Sequence, residues 1–76
     1  MDNTTIHEKK DFIQRMRQHG DVAAVCKELG YTETVFWSAM RRTDQNYTHG
    51  EMEAILTMYK KMQERQQLMI EVGLTG

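Results

Sequence analysis

The sequence predicts an all-α fold, a compact bundle of about four helices that ends in a long C-terminal helix. The 76 residues include no proline, and helix-favouring Ala, Leu, Met, Glu, Lys, Gln and Arg are plentiful. Apolar residues recur at helical spacing, and no segment keeps the alternation of a half-buried strand. Hydrophobic residues make up 39% and charged residues 28% of the chain, as in ordinary globular proteins. At this length we expect one domain, residues 1–76.

The first helix is predicted to begin after Thr5 and to end near His19, where Gly20 follows. Thr5 and Glu8 have capping-box spacing, so the Thr5 hydroxyl is expected to accept the Glu8 amide. Apolar residues are expected toward the core, and basic residues on the surface for either phosphate contact or simple solvation. The apolar set is Ile6, Phe12, Ile13 and Met16, and the basic set is Lys9, Lys10, Arg15 and Arg17.

Residues 22–42 predict two short helices joined by a tight turn. The first is expected to begin at an Asp21 cap, and its apolar stripe ends just before Gly30, a residue that suits a left-handed turn. Thr32 is expected to cap the second helix. The two stripes, expected to face each other, are Val22, Val25, Cys26 and Leu29, and Val35, Phe36, Ala39 and Met40.

This stretch resembles the helix-turn-helix of the Cro and lambda-repressor type of phage and bacterial regulators. The match consists of a small residue in the first helix, a leucine and a glycine at the turn, and apolar residues after it. These are Cys26, Leu29, Gly30, Tyr31, Phe36 and Ala39.

The resemblance implies a sequence-specific DNA-binding protein that regulates transcription. The helix of residues 33–42 would lie in the major groove of double-stranded DNA, and a homodimer would bind two half-sites one helical turn apart. The implied contacts come from the second helix and its cap, from Lys27, and from the amino end of the first helix near phosphate. They are Thr32, Glu33, Thr34, Trp37, Ser38, Arg41, Arg42, Lys27, Val22 and Ala23.

These contact residues differ in how well they suit DNA. Arg41 can bond guanine with two hydrogen bonds, whereas Glu33 is repelled by phosphate but can accept from cytosine. Trp37 is either an apolar contact to DNA or a core or dimer-contact tryptophan. Residues 1–42 carry seven Lys and Arg against six Asp and Glu, and residues 43–76 carry three against five. A net charge of −1 therefore predicts weak binding by each monomer.

The last helix is predicted over about residues 49–70, after a second capping box formed by Thr48 and Glu51. Tyr47, in the preceding loop, is expected to pack back on the core. The predicted buried face comprises Met52, Ile55, Leu56, Tyr59 and Met62. An apolar tail follows, which either folds back on the first helix or packs against another molecule, as in a homodimer. It comprises Leu68, Met69, Ile70, Val72 and Leu74.

Enzymatic and metal sites are not indicated. The histidines His7, His19 and His49 are scattered, no glycine-rich phosphate loop is present, and the single Cys26 is expected to be a buried hydrophobe. We expect no cofactor, no metal and no enzyme activity. No apolar run is long enough to span a membrane and no signal-peptide pattern opens the chain, which favours a cytoplasmic protein. The alternative function is a protein-interaction or phage assembly and packaging module, which an exposed Trp37 beside Glu33 would favour.

Overall fold

The computed structural model describes residues 5–73 and contains four α-helices and no strand in that part of the chain. Their bounds are α1 Ile6–Met16, α2 Asp21–Leu29, α3 Glu33–Arg41 and α4 His49–Gly73. The predicted all-α bundle with a long C-terminal helix is confirmed. No helix in residues 5–73 is both long and apolar enough to cross a membrane.

Helix α4 is the element on which the other three helices pack. Its 25 residues span about 37 Å at the usual rise per residue. Helix α1 runs alongside it in the same direction, since Phe12 contacts Tyr59 and the Met16 carbonyl accepts from Arg65. Helix α2 runs back toward the start of α4, and Tyr31 in the turn after α2 donates to Glu53.

The core lies between α4 and the inner faces of α1, α2 and α3. Most of the predicted inner residues of α2 and α3 are buried, and the others, Leu29, Val35 and Met40, are partly buried against the core. The predicted buried face of α4 was partly wrong. Leu56 is 45% exposed, whereas Met58 is fully buried. The buried apolar residues are Ile13, Val22, Val25, Cys26, Phe36, Ala39, Ala54, Ile55, Met58 and Met62.

The two predicted capping boxes form, whereas the other predicted side-chain caps do not. The Glu8 amide donates to the Thr5 hydroxyl, and Thr48 and Glu51 bond reciprocally. Helix α1 stops at Met16 rather than near His19, because Arg17 is already extended (φ −67°, ψ 148°). Thr32 occupies the cap position of α3, but its side chain makes no capping hydrogen bond.

The start of α2 and its end both depend on glycine. Gly20 is left-handed (φ 92°) and occupies the cap position that was predicted for Asp21. Gly30 is left-handed as well (φ 79°), and its amide bonds the Lys27 carbonyl while the Tyr31 amide bonds that of Cys26. This closing pattern ends α2 without a β-carbon penalty and turns the chain directly into α3.

The last part of α4 extends past the other helices. Arg65 is level with the end of α1 and the start of α2, so residues 66–73, which we term the α4 overhang, extend about 12 Å farther. Exposed fractions there are 61% for Leu68, 56% for Met69, 48% for Ile70 and 62% for Val72. Of the two alternatives for the tail, folding back onto α1 does not occur for these residues, and Leu74 lies outside the described residues.

Candidate nucleic-acid interface

The outward side of α3 carries a row of side chains that do not enter the core. Glu33, Thr34 and Arg41 are exposed, and Trp37 is half-buried at the edge of the row. Residues spaced by three, four and seven positions lie along one side of a helix, so these four form a continuous surface. We term these four residues the outward row.

Trp37 is held in place by contacts on two sides. Its ring meets the buried Phe36 edge-on, with the ring centroids 5.0 Å apart. The guanidinium of Arg17, which follows α1, lies 4.9 Å from the Trp37 ring centroid. This cation–π contact gives the row a second positive charge beside Arg41, one helical turn from Trp37.

Arg41 stands at the rim of an open groove between α1, α3 and the loop that follows α3. The groove has a volume of about 490 Å³, and Gln14 and Trp37 also line it. Within residues 5–73 the Arg41 side chain makes no hydrogen bond or ion pair. Its five N–H donors are therefore available to an external acceptor.

The carboxyl end of α3 is fixed by a lysine that was expected on the surface. Lys10 is only 9% exposed, so its predicted surface position was wrong. Its ammonium donates to the carbonyls of Ala39 (3.1 Å) and Arg42 (2.8 Å) and to the Tyr47 hydroxyl (2.7 Å). A positive charge there caps the open carbonyls of α3 and complements the helix dipole.

The opposite flank of α3 is tied to the first turn of α4 by Glu51, which is 3% exposed. This carboxylate accepts from the Thr48 amide, from the Ser38 hydroxyl (2.7 Å) and from Arg42. The Thr48 amide, the Ser38 hydroxyl and Arg42 together hold the pKa of Glu51 at about 2. We term these four residues the Glu51 cluster.

Two of the predicted contact residues therefore turn toward the protein. The Ser38 hydroxyl is half-buried and donates to Glu51, so its predicted outward placement is corrected. Arg42 is also half-buried, and its guanidinium pairs with both Asp44 and Glu51. The Ser38 hydroxyl and Arg42 Nη2 complete the α3–α4 contact through Glu51, whereas the buried Arg42 Nε has no hydrogen-bond partner within residues 5–73.

The amino end of α2 differs from the predicted phosphate site. Val22 is 5% exposed and belongs to the core, while Ala23 is exposed. The carboxylate of Asp21 already lies there and accepts from the Gln18 amide and from both terminal nitrogens of Arg65. Because of the Arg65 hydrogen bonds, the pKa of Asp21 falls to about 2. An incoming phosphate would meet a charged carboxylate at this end.

The other predicted contact residues are accessible. Thr32 and Lys27 are exposed, on the turn and on α2 respectively. Arg17, Arg41 and Lys27 supply positive charge around α3, while Glu33 on the outward row and Asp11 and Asp44 in the groove beside Arg41 supply negative charge. The local charge is therefore mixed, like that of the whole chain.

Sequence reasoning missed Arg17 and Lys10 as neighbours of the α3 surface. Both were treated as members of one basic set on α1, since their spacing carries no information about partners on α3. Lys10 lies three residues before the buried Ile13, and this inner-face spacing was the available signal. No comparable signal distinguishes Arg17.

Neither a thiol site nor a metal site accompanies this surface. Cys26 is buried as predicted, and burial raises the pKa of its thiol. No group of three or more His, Cys, Asp or Glu residues within residues 5–73 is placed to hold a metal ion.

Comparisons with known proteins give no match to a family model, a curated protein or a solved structure. The function of the chain is therefore inferred from its own residues and their geometry.

Proposed function

We propose that this protein binds double-stranded DNA in a sequence-specific manner, with α3 in the major groove, as a phage or bacterial transcriptional regulator in the cytoplasm. The observation that supports this function best is the outward row of α3, which keeps its polar groups free while both flanks of the helix are anchored. Lys10 fixes one end and Glu51 the other flank. A rigid helix with unsatisfied donors on one side suits groove recognition.

In this proposal the members of the outward row take different tasks. Arg41 donates to a guanine edge, and the Thr34 hydroxyl bonds either a base or a phosphate. Glu33 accepts from a cytosine amino group and disfavours other bases at that position. Trp37 supplies an apolar edge for a thymine methyl group.

The phosphate contacts come from the residues around the row. Arg17, held against Trp37, and Lys27 on α2 supply positive charge. The Thr32 hydroxyl adds a neutral donor beside them. With so few free cations, affinity for each monomer is low, and two copies on one operator are needed for specific binding.

The experiment is fluorescence anisotropy of labelled random duplex DNA titrated with protein at two salt concentrations. We expect salt-dependent binding that weakens several-fold when Arg41 is replaced by alanine, with a smaller salt slope. Arg41 is exposed and unpaired, so its substitution leaves the fold intact.

The matched control is Arg15→Ala, which removes one exposed arginine from α1 that lines neither the groove beside Arg41 nor the α4 surface. It should leave the affinity almost unchanged. Equal losses of affinity in both variants would show that binding depends only on the total charge of the protein. An absence of binding by the unmodified protein at about 50 µM in low salt would refute the proposal, since non-specific affinities are usually stronger than about 100 µM.

The second candidate is a protein-interaction module, as in phage assembly or packaging, without strong DNA binding. The observation that favours it is the α4 overhang, where Leu68, Met69 and Ile70 are each about half exposed or more. Exposed apolar clusters on small proteins commonly mark contact surfaces. Trp37 is half-buried against Phe36 and Arg17, which favours neither function decisively. A stable complex with another protein that survives loss of Arg41 would support this candidate.

A further inference from the structure

Two apolar surfaces on α4 lie on the same side of the helix, four turns apart. One is the overhang, with Ile70 48% exposed, and the other is Leu56, which is 45% exposed. Leu56 and Ile70 are separated by fourteen positions, about 21 Å along the axis. This repeat returns a side chain almost to the same angular position on the helix.

Leu56 lies in an open groove between α2 and α4, which we term the α2/α4 groove. Leu29 and Thr57 share its floor, and its rim carries Glu28 as well as Lys60, Lys61 and Glu64. Its volume of about 520 Å³ is ample for one or two aliphatic side chains. The rim has equal numbers of cations and anions, so it can meet a copy of itself without net repulsion.

We propose that the α2/α4 groove receives the α4 overhang of a second copy of this chain, in an antiparallel pair of α4 helices. The contact is isologous: Ile70 of each copy packs on Leu56 of the other, so both grooves are filled at once. This proposal names a partner surface and does not depend on DNA binding.

The spacing of exposed residues along α4 supports an antiparallel overlap. Five exposed residues of α4 are spaced alternately four and three positions apart, which is the repeat of a helix–helix seam. They are Leu56, Lys60, Gln63, Gln67 and Ile70. With Ile70 set against Leu56, the two-fold axis passes near Gln63, and Glu64 of one copy comes level with Met62 of the other, within about 3 Å of Lys60 and Lys61 along the axis.

The size of the surfaces favours this overlap over contact between the two overhangs alone. A stable interface buries roughly 800 Å² on each partner, more than the last two turns of one helix present. An antiparallel overlap adds the intervening seam and the groove to the buried area. Its centre is polar, with Lys60 and Gln63 facing the partner, which fixes the alignment at a cost in affinity. We therefore expect dissociation in the micromolar range.

The test is the mass of the full chain in solution, by sedimentation equilibrium over about 1 µM to 1 mM protein. We expect a monomer–dimer equilibrium in which Leu56→Lys and Ile70→Glu each abolish the dimer. Both side chains are about half exposed in the monomer, so helical content and thermal unfolding of the variants verify that they stay folded. Gln45→Lys, in the exposed loop before α4, is the control and should dimerise normally.

Mixing the two charged variants provides the sharpest result. Equal amounts of Leu56→Lys and Ile70→Glu should form a heterodimer, because one Lys–Glu pair and one Leu–Ile pair replace the two original contacts. Dimers of Leu56→Lys alone, with Ile70→Glu monomeric, would mean that the overhang packs elsewhere and would overturn the proposal. A monomeric unmodified chain at about 1 mM would overturn it as well. None of these outcomes depends on whether DNA binds.

Discussion

The two ends of α4 serve opposite purposes. At the first turn, the buried Glu51 carboxylate is fully used by the Thr48 amide, the Ser38 hydroxyl and the Arg42 guanidinium. At the last turns, large apolar side chains such as Leu68 and Met69 remain more than half exposed. The first part of α4 therefore stabilises the monomer, whereas the last part leaves an apolar surface exposed that can contact another molecule.

Between these two ends lies Arg65, where the folded unit stops. Its guanidinium joins α4 to Asp21 of α2 at 2.6 Å and also donates to the last carbonyl of α1 at Met16. The first part of α4 therefore carries two polar anchors, the Glu51 cluster and the Asp21–Arg65 pair. Substitutions in α4 up to Arg65 should therefore lower the free energy of unfolding, and substitutions beyond Arg65 should weaken association with another molecule.

Low pH protonates both Glu51 and Asp21 and should have the largest effect on the free energy of unfolding. The pKa values of Glu51 and Asp21 are about 2, below their ordinary values of 4.5 and 3.8. The unfolded chain therefore binds more protons, and stability present above about pH 5 is lost as pH falls through this window toward 2. We expect a loss on the order of 4 kcal/mol, measured by urea unfolding across the range.

A Glu51→Gln variant is the control for the acid effect. It should show a shallower loss of stability with falling pH, since one of the two depressed carboxyl groups is gone. A constant free energy of unfolding between about pH 5 and pH 2.5 would contradict the role of both anchors.

Removing the Glu51 side chain should have the next largest effect. Glu51→Ala leaves the Ser38 hydroxyl, the Thr48 amide and Arg42 without their shared acceptor. We expect a loss of about 3 kcal/mol in the free energy of unfolding, because unsatisfied buried polar groups are costly. Glu64→Ala, which removes an exposed carboxylate from the same helix, is the comparison and should cost far less. Equal losses of unfolding free energy in the two variants would show that the Glu51 cluster does not stabilise the fold more than an exposed carboxylate does.

Breaking the second anchor should cost less. Asp21→Asn keeps the shape of the side chain but removes the charge that Arg65 meets, for an expected loss of about 1.5 kcal/mol. The 22% exposure of the Arg65 side chain limits the effect, because water can solvate the remaining charge. Thermal unfolding at neutral pH measures it. A change below about 0.3 kcal/mol would indicate that water replaces the pair completely.

Removing the overhang should have the smallest effect on the monomer. A chain ending at Gln67 loses Leu68, Met69 and Ile70 but none of the buried core residues. We expect the unfolding free energy, measured at protein concentrations too low for association, to change by less than about 0.5 kcal/mol. A larger loss would mean that the last turns of α4 stabilise the monomer, against the division drawn at Arg65.

The helices were predictable because their signals are local. The Thr5 and Thr48 capping boxes, Gly30 and the apolar stripes of α2 and α3 depend on neighbours in the chain. The buried face of α4 was predicted in part: Ile55 and Met62 are buried as expected, but Leu56 is exposed and Met58 is buried instead. The apolar spacing allowed either choice, and the buried Glu51 lies on the same face as Met58.

The polar partners were not predictable in the same way. Lys10 bonds the carbonyl of Ala39, and Arg65 bonds Asp21, across large separations in sequence. A sequence pattern places a charged residue on a helix face but does not reveal what crosses that face. For this reason Ser38 and Arg42 were expected at the surface, while the exposure of Glu33, Thr34 and Arg41 agrees with the prediction.

The position of Trp37 makes the protein its own optical probe. It is the only tryptophan in the chain, so the indole emission comes from one place, the outward side of α3. Its edge rests on Phe36 and its face meets the Arg17 guanidinium, while the rest borders the open groove beside Arg41. Intensity and wavelength of that emission thus follow events at α3 without any label, whereas association through the far end of α4 leaves the indole undisturbed. A change in this emission therefore reports occupation of the α3 surface, and association without such a change points to the far end of α4.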